Sequence, residues 1–304
     1  MSLHIKYRPT DLSQVKGNVN ILSTLDGMLA NLKTCPHSFL LHGPTGCGKT
    51  TLGRIIAERL GCKASDFQEL DSAAFRGIDT VREIRKNSQY LAIEGSCRVW
   101  LIDECHKMTG DAQNALLKIL EDTPSHVYFI LCTTEPQKVL PTVRGRCSEL
   151  QVKTLNEAQL FGLLRRIVKE EGHSLEKEVY DVIIQDSLGH PRNALQILEQ
   201  VLNVAPEQRL EVAKQTAAIQ SQSIELCRAL FKKAGWKEIS TILTGLKDQE
   251  AEGIRRMVLG YCQSVLLKTD NVVAGRIMEE FINPFYDSGY PQLVYACYAV
   301  TKNP

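Results

Sequence analysis

No stretch of this sequence approaches the roughly 18 apolar residues that a membrane span needs, and its first twelve residues lack the apolar centre of a secretory leader. No membrane partner is expected, and the expected setting is the cell interior. Charge of one sign is also missing: 36 Lys and Arg stand against 35 Asp and Glu, a formal net charge of +1. That balance excludes a uniformly basic nucleic-acid coat, so any DNA contact has to come from a local surface. The ten cysteines contain no C-x-x-C pair and no Cys/His cluster of zinc-ligand spacing. Zinc is therefore not expected, and the thiols are expected to be reduced and to pack as small hydrophobes. No Pro/Gly-rich or single-sign run suggests a disordered tail.

What is present falls into three parts. The first half alternates short apolar runs with helical spacing: strands are expected over 38–42, 98–102 and 127–132, with helices over 50–60 and 111–121. Such alternation predicts an α/β fold whose parallel sheet is covered on both faces. After about Val152 the strand signal stops. Helical spacing then covers 156–171, 175–188 and 192–204, broken by Gly172 and by Gly189-His190-Pro191. Beyond Pro206, further amphipathic helices are expected over 224–234, 237–246, 251–267, 272–281 and 292–300. The expected domains are 1–152, 153–206 and 207–304.

Chemistry concentrates in the first part. Gly43-Pro44-Thr45-Gly46-Cys47-Gly48-Lys49-Thr50 matches G-x-x-x-x-G-K-[ST] between an expected strand and an expected helix, the context that makes this motif a phosphate-binding loop. Its glycines let backbone N–H groups and the helix N-terminus face an anion. Lys49 is placed for the β- and γ-phosphates and Thr50 for Mg²⁺. Arg98-Val99-Trp100-Leu101-Ile102-Asp103-Glu104 is an apolar strand ending in two carboxylates. Asp103 suits the metal, and Glu104 suits activation of water. Together the motifs predict a Mg²⁺-dependent nucleoside triphosphatase.

With those residues placed, the chain resembles the AAA+ clamp-loader ATPases, in particular the bacterial DNA polymerase III gamma/tau subunits. The likeness runs through most of the first 200 residues. It is carried by Tyr7-Arg8-Pro9 with Val15-x-Gly17, by Asp103-Glu104-Cys105-His106 and by Asn114-Ala115-Leu116-Leu117-Lys118. Further on it is carried by Thr133-Thr134-Glu135-Pro136-Gln137-Lys138, Gly145-Arg146-Cys147 and Gly189-x-x-Arg192-x-Ala194-Leu195. The resemblance implies an AAA+ domain followed by a three-helix lid and an all-α collar, with ATP and Mg²⁺ as cofactors. Tyr7, Arg8, Pro9 and Val15 would pack against the adenine, and Thr51, Pro191 and Arg192 would join the nucleotide site. Thr134 would hold water or the γ-phosphate, Arg192 would sense the phosphate from the second domain, and Arg146 would enter a neighbour's site as an arginine finger.

The chain departs from that family in three places. Residues 60–95 hold only Cys62, where gamma/tau subunits carry a four-cysteine zinc module; Gly145 replaces a serine; and a tau-like tail is absent. A compact loader ATPase, bacterial or viral, is the expectation. The resemblance further implies a sliding clamp, primer–template DNA and other loader subunits as partners, in an arc of four or five. That arc would be a homo-oligomer of this chain plus at least one different subunit. Arg76, Gly77, Ile78, Arg82, Lys107 and Thr109, before two expected helices, are candidates for phosphate contacts that read no bases. A scaffold-only loader arm, a helicase and another AAA+ DNA-processing ATPase are the alternative readings.

Overall fold

A computed structural model describes residues 2–72, 77–247, 249–266, 269–285 and 288–302. The chain divides into two compact units, Met1–Pro206 and Glu207–Pro304. The first unit begins with α1 (Leu3–Lys6) and α2 (Val19–Ala30). There follow β1 (Ser38–His42), α3 (Lys49–Arg59), β2 (Phe67–Asp71), α4 (Ile78–Asn87), β3 (Arg98–Asp103), α5 (Gly110–Glu121), β4 (Val127–Thr133), α6 (Pro141–Arg144) and β5 (Ser148–Gln151). It ends with α7 (Glu157–Glu170), α8 (Lys177–Ser187) and α9 (Pro191–Leu202).

The five strands form one sheet in the order β2-β3-β4-β1-β5, every pairing parallel. The period-2 alternation of a strand divides its side chains between two cores. Phe39, Leu41, Leu101 and Ile130 join one core with Leu25, Leu52 and Ile56. Leu40, Trp100, Ile102, Phe129 and Leu131 join the other with Val81, Ile84, Leu116 and Ile119. Residues buried on both faces of the sheet explain why β1, β3 and β4 are nearly continuous apolar runs. Gly53 lets α3 lie close on the sheet: a Cβ there would stand 2.6 Å from Leu101 Cδ1 and 3.2 Å from Ile130 Cγ2.

The three expected strands are the central ones, each found within a residue of its expected limits. The two edge strands β2 and β5 carry no sequence expectation. In the second part of this unit, α7, α8 and α9 pack pairwise into a three-helix group. Asn156 and Gln159 open α7 with a reciprocal capping box, and Pro191 opens α9 at its first turn.

The second unit is all helical: α10 (Arg209–Phe231), α11 (Trp236–Gly245), α12 (Ala251–Leu266), α13 (Val272–Phe281) and α14 (Gly289–Lys302). The helix expected over 224–234 is the end of a 23-residue helix that stops at Phe231, three residues short of the expected limit. Leu226 and Leu230 lie in this unit's own core, and Phe231, Leu259 and Tyr261 pack against its margin. A buried ion pair stiffens it. Arg255 donates to both oxygens of Glu252 at 2.7 and 2.8 Å, and the Phe285 N–H donates to the same carboxylate at 2.9 Å. No described helix is long and apolar enough to cross a membrane.

Candidate functional site

The loop between β1 and α3 is built by three positive-φ glycines, Gly43 (148°), Gly46 (70°) and Gly48 (97°). At Gly43 a Cβ would collide with the Val152 carbonyl oxygen at 2.0 Å. At Gly48, the residue before the first turn of α3, a side chain would meet nothing within 4 Å, so glycine answers to backbone conformation there. Pro44 and Thr45 span the outer limb, and the Thr45 carbonyl faces His190 Nδ1 at 2.8 Å. That contact ties the loop to the start of α9.

Lys49 is 6% exposed. Its ammonium donates to the carbonyls of Gly43 and Pro44 at 3.0 and 2.9 Å and has no carboxylate partner among the described residues. A buried cation satisfied only by neutral carbonyls calls for an anion. Thr50 Oγ1 donates to Asp103 Oδ2 at 2.8 Å, and the Glu104 N–H donates to Asp103 Oδ1 at 2.9 Å. A hydroxyl and a carboxylate side by side at a phosphate loop are an oxygen donor set that suits Mg²⁺. Glu104 sits in the left-handed region at φ 50°, a conformation costing on the order of 1 kcal/mol for a residue with a Cβ. Thr134, just past β4, donates from Oγ1 to Glu104 Oε2 at 3.2 Å.

A cleft enclosing about 830 Å³, with open solvent at its mouth included, lies beside this loop. Tyr7, Arg8, Pro9 and Val15 line it from the N-terminal segment; Gly46, Cys47, Gly48 and Thr51 line it from the loop and α3; Pro191 and Arg192 line it from α9. Sequence reasoning missed His4, Gln14, Lys16, Asn18 and Leu52, and also Leu155, Leu163 and Leu195. The last two are apolar positions of amphipathic helices, and nothing in their spacing separates a ligand wall from ordinary core.

Arg8 and Arg192 have no carboxylate partner among the described residues. Burial, then the nearby Arg54 and Arg192 charges, push the Arg8 guanidinium below its usual range; Glu69 acts the other way. Arg192 also stands in the first turn of α9, where the helix dipole disfavours a cation. A cleft lined by both guanidiniums and leucines fits a polyphosphate bearing a flat apolar base.

Arg146 lies elsewhere. It does not line the cleft; its guanidinium donates to the Thr142 carbonyl at 3.0 Å and pairs with Glu121 at the end of α5. Of the DNA candidates, Arg76 lies outside the described residues. Gly77 precedes the first turn of α4 and Ile78 begins it. Ile78 and Arg82 border a groove between α4 and α5 together with Arg85 and Lys118, but Arg82 is already paired with Asp79 at 2.7 Å. Lys107 is exposed in the turn before α5. The Thr109 hydroxyl caps α5 by accepting from the Ala112 N–H at 3.2 Å. Among the described residues there is no group of three or more His, Cys, Asp or Glu able to hold a metal ion.

Comparisons with known proteins show what the chain is similar to. Residues 66–156 match the family model described as DNA polymerase III, delta subunit. The gamma/tau subunit of Mycobacterium bovis is 36% identical over 225 residues, covering 66% of this chain and 39% of that protein. The gamma subunit of Buchnera aphidicola from Schizaphis graminum is 32% identical over 221 residues, covering 66% of this chain and 61% of that protein. The chain is clamp-loader-like. It spans well under two thirds of the length of the mycobacterial relative. Among solved structures, the Thermotoga maritima RuvB Holliday junction branch migration motor aligns with a TM-score of 0.61 at 20% identity. That alignment covers 78% of this chain and 85% of that one. At that identity the likeness is one of fold alone, a parallel α/β sheet with helices packed on it.

Proposed function

We propose that this clamp-loader-like chain is the ATPase subunit of a clamp-loader complex and loads a sliding clamp onto primer–template DNA during replication, driven by ATP. The observation that carries the reading is the loop and the cleft beside it: Lys49 is buried with no carboxylate partner among the described residues, the Thr50–Asp103 pair stands next to Glu104, and Arg8 and Arg192, also without a carboxylate partner among the described residues, line the cleft. The similarity to polymerase III gamma and tau subunits supplies the cellular context.

ATP and Mg²⁺ are the proposed cofactors, and no zinc is invoked. Thr50 and Asp103 would hold the metal, whose charge offsets that of the phosphates when bound. The residues of the chain do the rest. Lys49 and Arg192 bind the phosphates, and the loop amides around Gly46 and Gly48 orient them. Tyr7, Arg8, Pro9 and Val15 close over the base and exclude water. Glu104 accepts the proton of the attacking water, with Thr134 restraining its carboxylate. The three-helix group over 153–206 serves as a lid, because it brings Pro191 and Arg192 to the nucleotide. The unit over 207–304 serves as the collar that joins subunits.

Arg146 acts in the neighbouring subunit's site as a transition-state cation. Hydrolysis then requires an arc of four or five subunits at the replication fork, built from this chain and at least one different subunit. Gly77, Ile78, Arg82, Lys107 and Thr109, with Arg76, supply the DNA-facing surface. The deciding experiment measures ATP turnover with clamp and primed DNA, with and without candidate partner subunits. Stimulation by both ligands is expected. A rate indifferent to both, with no binding to any sliding clamp, removes the loader reading and leaves another AAA+ DNA-processing ATPase.

A further inference from the structure

The wall that Tyr7 gives the cleft is held from outside the cleft. Tyr7 follows α1 directly, and its hydroxyl donates to Glu171 Oε1 at 2.5 Å; Lys6 Nζ donates to the same oxygen at 2.6 Å. Glu171 does not line the cleft. It is the residue after α7, its N–H still donating to the Ile167 carbonyl at 2.9 Å. A carboxylate there meets the negative end of the helix dipole. Donors from elsewhere offset that, and both come from the N-terminal segment.

The same segment is pinned a second time. Ser2 Oγ donates to Glu199 Oε2 of α9 at 2.6 Å, and Leu3, between the two anchors, is buried. Beyond Tyr7 the chain passes Arg8 and Pro9, which line the cleft, and reaches Leu12, which joins the core that Leu25 and Leu52 share with the sheet. Residues 2–7 are thus fixed to the three-helix group and Leu12 to the sheet, with cleft-lining residues on the span between them. An aromatic ring alone would wall a flat apolar base. The Tyr7 hydroxyl is spent on Glu171, so the place of its ring follows from where α7 ends.

We infer that Glu171 is a positioning residue for nucleotide binding: by holding the Tyr7 hydroxyl, it fixes the base wall of the cleft before ATP arrives. The inference rests on the nucleotide reading above. A hydroxyl donating to a charged carboxylate makes a strong bond, and it orders the ring and the span that follows it. Without that bond, ring and span have to be ordered at the expense of binding energy. Glu171 bonds to Lys6 and Tyr7, and among the described residues it has no bond to the phosphate loop. Its loss therefore falls equally on the ground and transition states, and so on affinity rather than on the chemical step.

The test measures ATP binding to the full chain, and turnover in the assembly with clamp and primed DNA. Glu171→Ala should raise the ATP dissociation constant and KM about tenfold and leave kcat within about twofold. Tyr7→Phe keeps the ring and removes the hydroxyl; it should show the same loss, and the double variant should be no worse than either single one. Glu171→Gln keeps an acceptor oxygen and should recover most of the affinity. Inorganic tripolyphosphate has no base, so it should bind the natural and Glu171→Ala chains equally well, whereas general damage to the fold would weaken it too. Unchanged ATP affinity in Glu171→Ala, equal losses for ATP and tripolyphosphate, or effects that multiply in the double variant overturn the inference alone. A natural chain that binds neither ATP nor tripolyphosphate overturns the nucleotide reading instead, and the positioning role goes with it.

Discussion

The two-chain site can be tested at Arg146, because its contacts in the lone chain can be weighed against what it would gain. Its pair with Glu121 is open to water, the two side chains being 35% and 48% exposed. Such a pair is worth about 0.5 kcal/mol. The bond to the Thr142 carbonyl adds about 1.5 kcal/mol. Withdrawing the guanidinium therefore costs at most about 2 kcal/mol, roughly a 30-fold factor in equilibrium. An arginine delivered to a neighbour's transition state accelerates hydrolysis by about 10³-fold or more. The second factor exceeds the first by more than a decade, so intrachain contacts can park this residue but cannot keep it from a neighbour. Arg146→Ala should leave ATP affinity of the lone chain within about twofold, since the residue does not line the cleft. DNA-stimulated turnover in the assembly should fall by about 10³-fold. Complementation makes the assay decisive: a Lys49→Ala chain still carries its arginine and should restore partial turnover to Arg146→Ala neighbours mixed with it. Failure of the mixture to recover any activity, or full turnover by an isolated Arg146→Ala monomer, refutes the reasoning.

Three further outcomes are expected. Lys49→Ala should weaken binding of a fluorescent ATP analogue at least about tenfold, because a desolvated charge-assisted contact is lost; unchanged affinity would detach Lys49 from the phosphate. Gly53→Leu should cost about 1–3 kcal/mol in urea unfolding by forcing α3 off the sheet, and an unaltered midpoint would mean that α3 can shift freely. Glu252 is held down to about 2, chiefly by the Arg255 side chain and then by the Phe285 N–H and Arg256, against the opposing effect of burial. A depressed carboxyl contributes its stability above its unfolded value near 4.5 and loses it as pH falls through the folded value. Trp236 packs against the core of that unit. Its fluorescence, read in a Trp100→Phe background, should therefore show acid loosening between about pH 4.5 and 2. Glu252→Gln should remove that pH dependence and lower stability by about 3 kcal/mol, because Arg255 is left buried with its charge uncompensated.

How much of this was legible in the sequence follows from where side chains are buried. The strands β1, β3 and β4 announce themselves because both their faces are covered; β4 is buried at every position. Phe67–Asp71 and Ser148–Gln151 are strands only through their neighbours. Each has a single strand beside it and mostly polar or half-exposed residues, so no apolar run marks it. The same logic governs the site. Gly43 through Thr50 are legible because phosphate binding demands those residue types at fixed spacing, whatever the surroundings. Asp103 is legible from its place at the end of an apolar strand. Leu155, Leu163 and Leu195 reach the cleft through packing between separate elements; Leu155 lies in the segment before α7, and the pattern around Leu163 and Leu195 is that of any amphipathic helix. His106 falls between these cases. Its identity could be noted in the Asp103-Glu104-Cys105-His106 motif, but its contacts with Thr133 and Glu135 lie near the end of a different strand. A parallel sheet supplies that relation: β3 and β4 run side by side, Ile102 opposite Leu131, so the residues that follow each strand meet at the same edge. Chemistry held within one loop is written locally, whereas chemistry shared between adjacent strand ends exists only once the register is set.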